Sequence, residues 1–156
     1  MSQTQIRIAA ASEATQIASV LRQAFVEYES LYTAQAFAAT TPSARQIEQR
    51  WDEGPVWVAA LAGEIVGTVA AVSKREGLYV RSMALLPASR GKAIGWSLLE
   101  DVERFAYAQG CPCLFLSTTP FLLRAIRLYE RFGFRRSAEG PQELFGTALF
   151  TMVKLL

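Results

Sequence analysis

The chain has 156 residues, 51% of them hydrophobic and 19% charged, a balance that builds one folded domain with a sizeable core and excludes a disordered chain. Its net charge is only +2, and no basic run is longer than two residues, Arg135-Arg136 being one, which argues against a nucleic-acid partner. There is no histidine, and the two cysteines, Cys111 and Cys113, flank Pro112, too close for an ordinary disulfide and too few for a zinc site, so no metal is expected. Met1 to Gln5 lacks the basic start and apolar run of a signal peptide, and no apolar stretch approaches the roughly 20 residues that span a bilayer. A cytoplasmic location without a membrane partner is the expectation.

In chain order, Ile6 to Ala10 predicts a first strand, and Ser12 an N-cap with Glu13 in the first helical turn. Ile17, Val20, Leu21, Ala24, Phe25 and Tyr28 then mark one helical face. Glu29 to Thr41 reads as an irregular or short helical connection. Thr41-Pro42-Ser43 predicts another helix start, supported by Ile47 and Trp51 and ended by Gly54-Pro55. Val56 to Leu61 and Ile65 to Val72, joined by Ala62-Gly63-Glu64, predict a hairpin. Gly77 to Leu86 predicts a strand stopped by Pro87, which cannot donate to a ladder. A helix follows on Ile94, Leu98, Leu99, Val102, Phe105 and Ala106, with Gly110 as its C-cap.

Cys113 to Ser117, a continuous apolar run, predicts a buried strand. Leu122, Ala125, Ile126, Tyr129 and Phe132 predict a further helix, with Arg124, Arg127 and Arg131 on its other side and Gly133 at its end. Phe134 to Arg136 and Ala148 to Lys154 predict closing strands around the turn Glu139-Gly140-Pro141. The alternation of strands and helices predicts an α/β domain with a mixed sheet.

The stretch that carries chemistry is the loop Arg90-Gly91-Lys92-Ala93-Ile94-Gly95. Small residues opening a helix present backbone N–H groups without side-chain obstruction, and the helix dipole adds to them, so the loop suits a phosphate or pyrophosphate. It is not a Walker loop, because Gly95 is followed by Trp96-Ser97 rather than Lys-Ser/Thr; nor does it carry the three glycines of a dinucleotide fingerprint. It resembles the acetyl-CoA loop of the GCN5-related N-acetyltransferase (GNAT) family: Arg or Gln, two residues, Gly, one residue, then Gly or Ala, after a strand ending in Pro. Arg90, Ala93 and Gly95 take the three marked positions, with Ala93 departing from Gly.

A second stretch, Ala125 to Phe134, resembles that family's other signature. Ala125, Leu128, Tyr129, Gly133 and Phe134 fall in register, while Leu122 stands where the family has Asn, a side-chain contact to the pantetheine arm.

The resemblance spans nearly the whole chain. It implies one N-acetyltransferase domain over residues 1–156, with the single-domain α/β acyl-CoA N-acyltransferase (GNAT-like) fold: a mixed, mostly antiparallel sheet flanked by helices. It implies acetyl-CoA as co-substrate and transfer of its acetyl group to a primary amine of a small-molecule or amino-acid-like acceptor by direct attack in a ternary complex. The alternative is a non-catalytic acyl-CoA-binding module of the same fold. By register, Met83, Ala84 and Leu85 would meet the thioester and pantetheine, Arg90, Gly91, Lys92, Ala93, Ile94 and Gly95 the pyrophosphate, and Tyr129 would protonate the leaving thiolate or else simply pack the core. The family's strand Glu falls at Tyr79, so the general base is not identified.

Tyr79 and Arg81 would then face the acceptor, on one face with Met83. Arg81 would hold an acceptor carboxylate or an internal Glu or Asp. Gly95 should stay small for the pyrophosphate. Ala93 should have negative φ, since positive φ is costly without Gly. The family often dimerises, and Leu149 to Leu156 could serve a homodimer or an ordinary core strand.

Overall fold

The structure is a computed structural model and describes residues 3–156. Strand β1 (Thr4–Ile8) is followed by helices α1 (Ala14–Phe25), α2 (Ala34–Thr40) and α3 (Ala44–Glu48). Then come β2 (Val56–Leu61), β3 (Glu64–Ser73) and β4 (Leu78–Leu85), helix α4 (Ile94–Ala108), β5 (Cys113–Thr118) and helix α5 (Leu123–Phe132). The chain closes with β6 (Arg135–Ser137), β7 (Glu143–Leu144), β8 (Thr147–Ala148) and β9 (Phe150–Leu155). Seven strands form one sheet in the order β1-β2-β3-β4-β5-β9-β6, and β7 and β8 form a separate hairpin. Every neighbouring pair in the sheet is antiparallel except β4 and β5. The expected mixed, mostly antiparallel α/β sheet is therefore what forms.

Both faces of the sheet are covered, which is why its central strands read as unbroken apolar runs. Along β2, Val56 and Val58 point to α1, where they meet Ile17, Val20, Leu21 and Ala24; Trp57 and Ala59 point to the other face. There Leu98, Leu99 and Val102 of α4 are wholly buried, and α5 adds Tyr129 and Phe132. Each buried aliphatic side chain of this kind stabilises the fold by about 1.5–3 kcal/mol.

Some local expectations shift. Ser12 does not cap α1: residues 11–13 form a 3₁₀ turn, and the Glu13 carboxylate accepts the Ala10 N–H at 2.7 Å and a two-pronged bond from Arg7 at 2.7 and 2.8 Å. Of the two forms expected for the connection after α1, irregular or short helical, the structure takes the helical one. It is a 3₁₀ segment, Val26–Leu31, and then α2, capped by Thr33, whose hydroxyl accepts the Ala36 N–H at 3.2 Å. Ser43 caps α3 as expected, with Gln46 reaching back to its N–H, but Trp51 lies in the turn beyond the helix.

Strand β5 is not uniformly buried: Leu114, Leu116 and Thr118 are, while Cys113, Phe115 and Ser117 on its other side are only partly so. The closing strands begin one residue late at Arg135 and two late at Phe150. Between them lies the unforeseen β7–β8 hairpin, whose two turn residues, Phe145 and Gly146, both have positive φ (47° and 89°), the pairing that a tight hairpin turn demands.

Candidate active site

Two irregularities in β4 create the site. The first is a bulge. Thr68 of β3 pairs with Ala84 and Ala70 pairs with Arg81, so Ser82 and Met83 together stand opposite Val69. Ser82 takes φ +53°. An extra residue reverses the alternation of faces. Before it, Leu78 and Val80 face α4; after it, Met83 and Leu85 pack on that side and Ala84 faces α1. Hence Met83 does not share a face with Tyr79 and Arg81, as simple alternation predicts: it lies on the opposite one.

The second irregularity is a splay. Strand β4 pairs with β5 only at Leu78–Leu114 and Tyr79–Phe115, where the two rings stack with centroids 5.2 Å apart. From Val80 onward β4 has no β5 partner, and its backbone edge opens onto a gap through the sheet.

A cavity enters this gap from each side. On the α4–α5 side lies a cleft of about 900 Å³, lined by Met83, Ala84 and Leu85, by the Arg90 to Gly95 loop and by α5. On the α1–α3 side lies a pocket of about 410 Å³ containing Tyr28, Tyr32, Arg50, Tyr79 and Arg81. Met83, Arg124, Ala125 and Tyr129 line both, so the cavities meet on them.

The cleft has the features of an anion cradle. The first intrahelical bond of α4 in its opening turn runs from Ser97 N–H to Ala93 O at 3.1 Å, so the amides of Ile94, Gly95 and Trp96 precede the ladder. Gly91 has φ +79°, and a side chain added to it would meet only open space. Ala93 also has positive φ, +60° with ψ 14°. The expectation of negative φ is therefore wrong. The loop must reverse into the helix within one residue, and the left-handed conformation achieves this even without Gly, at a cost of about 1–2 kcal/mol.

Gly95 is small for a protein reason as well as the expected ligand one: a Cβ there would lie 2.8 Å from Leu128 Cδ2 and 3.2 Å from Met83 Cε. The Arg90 guanidinium is turned to the end of α1, onto Glu27 at 2.7 Å and the Ala24 carbonyl at 3.2 Å, so it fastens the loop.

Not every expected residue reaches the cleft. Lys92 is exposed and is not part of its lining, and Leu122 lines the pocket instead. Conversely Arg124, Arg127 and Arg131, expected on the far side of α5, line the cleft with Trp96. Their exposed spacing reads as a solvated helix face until α5 is laid beside α4 across an open cleft.

Tyr129 is 7% exposed and packs its ring against Phe134, so it belongs to the core and to the cavities at once. Burial, with a smaller contribution from the neighbouring Tyr32, pushes its pKa well above the ordinary tyrosine value, so the hydroxyl stays protonated at neutral pH. Burial likewise raises Tyr79, against the opposing charges of Arg81 and Arg50. Of the two roles open to Arg81, the structure shows the ion pair, with Glu53.

Over residues 21–134 the chain matches the family model described as acetyltransferase (GNAT) family. The chain belongs to this family. Among relatives of this GNAT chain is the uncharacterized N-acetyltransferase YjgM of Escherichia coli, 32% identical over 124 residues that cover 76% of this chain and 74% of that protein. The zebrafish (Danio rerio) N-acetylaspartate synthetase is 39% identical over 85 residues, 53% of this chain but only 30% of its own length. In fold, the chain superposes on PaiA N-acetyltransferase from Thermoplasma acidophilum, solved in complex with coenzyme A, with a TM-score of 0.84, 16% identity and 99% of both chains covered. No helix among the described residues is long and apolar enough to cross a membrane.

Proposed function

We propose that this chain is an acetyl-CoA-dependent N-acetyltransferase that acts on the primary amine of a small, amino-acid-like acceptor by direct attack in a ternary complex. The observation that carries the reading is the meeting of two cavities, from opposite faces of one sheet, on Met83, Ala125 and Tyr129. A donor and an acceptor entering from the two sides would approach each other without either leaving its own cavity, which is what direct attack requires.

Acetyl-CoA supplies the acetyl group as a thioester. The residues of this chain would do the rest. The loop amides of Ile94, Gly95 and Trp96 bind the pyrophosphate, with Arg124, Arg127 and Arg131 supplying positive charge along the same cleft. The unpaired edge of β4 at Met83 to Leu85 offers backbone donors to the thioester oxygen, where negative charge develops. The amine must lose a proton before it attacks, to water where no carboxylate is in place. As the C–N bond forms, the nitrogen gives its surplus proton to water; as the C–S bond breaks, the Tyr129 hydroxyl donates a hydrogen bond and then its proton to the sulfur, and solvent restores that proton. The raised pKa of Tyr129 keeps its hydroxyl protonated and available as a hydrogen-bond donor at neutral pH, though as a weaker acid than an exposed tyrosine.

The kinship with aspartate-acetylating enzymes favours an acidic amine among the acceptors. The experiment is thiol release from acetyl-CoA over a panel of amino acids and simple amines. Turnover with at least one small primary amine supports the reading. Tight acetyl-CoA binding with no thiol release from any of them leaves the non-catalytic acyl-CoA-binding module.

A further inference from the structure

We infer that Arg50 is the receptor for an acceptor carboxylate, so that the acceptor is an amino acid or another small amine bearing an acidic group. This rests on the acyl-transfer reading above, and it places the determinant of specificity about 30 residues upstream of the strand where sequence reasoning puts it.

The pocket on the α1–α3 side is lined by three arginines, Arg50, Arg81 and Arg124, and by one carboxylate, Glu143. Arg81 already holds Glu53, which is not part of the pocket lining. Arg124 is exposed and shared with the cleft. Arg50 differs from both. It is half-buried, and its one side-chain hydrogen bond among the described residues runs from Nη1 to the Ser82 hydroxyl at 3.0 Å. Burial and the like charge of Arg81 both push its pKa down. The nearby Glu53 carboxylate opposes this shift, but it is bonded to Arg81, so the side-chain group bonded to the partly desolvated Arg50 cation is a neutral hydroxyl, and an arriving anion would offset that cost.

Two further polar groups of the same pocket, Arg81 Nε and Thr119 Oγ1, are buried without a hydrogen-bond partner. A carboxylate supplies acceptors for such a set, and a planar guanidinium matches it with two parallel bonds.

Position agrees with chemistry. Ser82 is the bulged residue directly before Met83, and Met83 is where pocket and cleft meet. A carboxylate on Arg50 would therefore leave the amine of a small molecule near the gap. The turn that delivers Arg50 also delivers Glu53, whose N–H bonds the Arg50 carbonyl at 2.9 Å; one short segment thus presents a cation that has no salt bridge among the described residues and occupies the second one.

The test compares wild type with Arg50→Met and Arg50→Lys. Alanine, aspartate and glutamate, each paired with its fully amidated counterpart, are offered to the CoA-loaded protein in calorimetry and to the acetyl-CoA-loaded protein in thiol release. Wild type should favour each acid over its amide. Arg50→Met should weaken the acid by about 10–100-fold while leaving the amide within about threefold. The loss should appear in KM more than in kcat, with CoA affinity and melting temperature retained. Arg50→Lys, which keeps the charge and loses the fork, should fall between the two and carries the same test if the Met variant does not fold.

Equal binding of acid and amide by wild type, an equal loss of both in the variants, or no binding of any acid by wild type overturns the inference. Arg50-dependent binding of an acid without thiol release from any amine keeps the receptor and removes the acyl-transfer reading. Thiol release with amides as good as acids does the opposite.

Discussion

Tyr129 stands in the core and in the cavities together, so its two roles have to be separated by chemistry. Tyr129→Phe keeps the ring against Phe134 and removes only the hydroxyl. As the proton donor to sulfur it should cost about 10²–10⁴ in turnover, with acetyl-CoA affinity and thermal stability near wild type. Turnover within about threefold of wild type would leave it a packing residue. Because burial raises its pKa, the pH–rate profile should show no falling limb from Tyr129 below the ordinary tyrosine value of about 10. Ala93 gives a second test at this scale. Its left-handed conformation costs about 1–2 kcal/mol, and the extra freedom of Gly in the unfolded chain returns about 0.5–1. Ala93→Gly should therefore raise stability slightly, seen as a melting temperature a few degrees higher, with CoA affinity unchanged. A lower melting temperature would contradict the strain.

The junction of α4, α5 and β4 is where element packing and ligand shape meet. A methyl at Gly95 would press on the end of Leu128, a side chain that can swing away, and the cleft is the open direction. Gly95→Ala should therefore fold with stability within about 1 kcal/mol of wild type, yet lose CoA affinity severalfold. Leu128→Ala placed in the same protein should recover much of that affinity, a coupling that independent sites would not show. The bulge at Ser82 is the other decision made at this scale. It turns Met83 toward α4 while Arg81 stays on the α1 side, and so assigns donor and acceptor contacts of one strand to opposite faces of the sheet.

Across the whole molecule, the sheet is continuous at its edges and open at its middle. At one edge, β1 is tied to the start of α1 by Arg7 and Glu13. The Arg7 bond, together with the Ala10 N–H, lowers the Glu13 pKa from 4.5 to about 2, against the opposing effect of burial. A depressed carboxylate pKa stabilises fully above about pH 4.5, and the contribution is lost as the pH falls toward 2. Arg7→Gln should cost about 0.5–1 kcal/mol at pH 7, a surface-pair value, and the difference from wild type should vanish near pH 2 in denaturant titrations. A difference that persists at low pH would place the effect in packing. In the middle, the splay of β4 from β5 leaves a gap through the sheet where the two cavities join.

By itself the sequence determined the α/β class, the order of the main elements and the small-residue loop at Arg90 to Gly95, while the family resemblance singled out Tyr129 as the residue to test. Those are local matters: helical and strand periods, a Pro stop and small residues at a helix start are written within ten or fifteen positions of one another. The tertiary structure alone decided which face each β4 residue takes, because a one-residue bulge reverses alternation without any marker in composition. It also decided that Arg81 is held by Glu53, that Arg124, Arg127 and Arg131 border a cleft rather than solvent, and that Arg50 joins the pocket. Each of these depends on a partner brought from a distant part of the chain, and charge pairing of that kind has no period by which to read it.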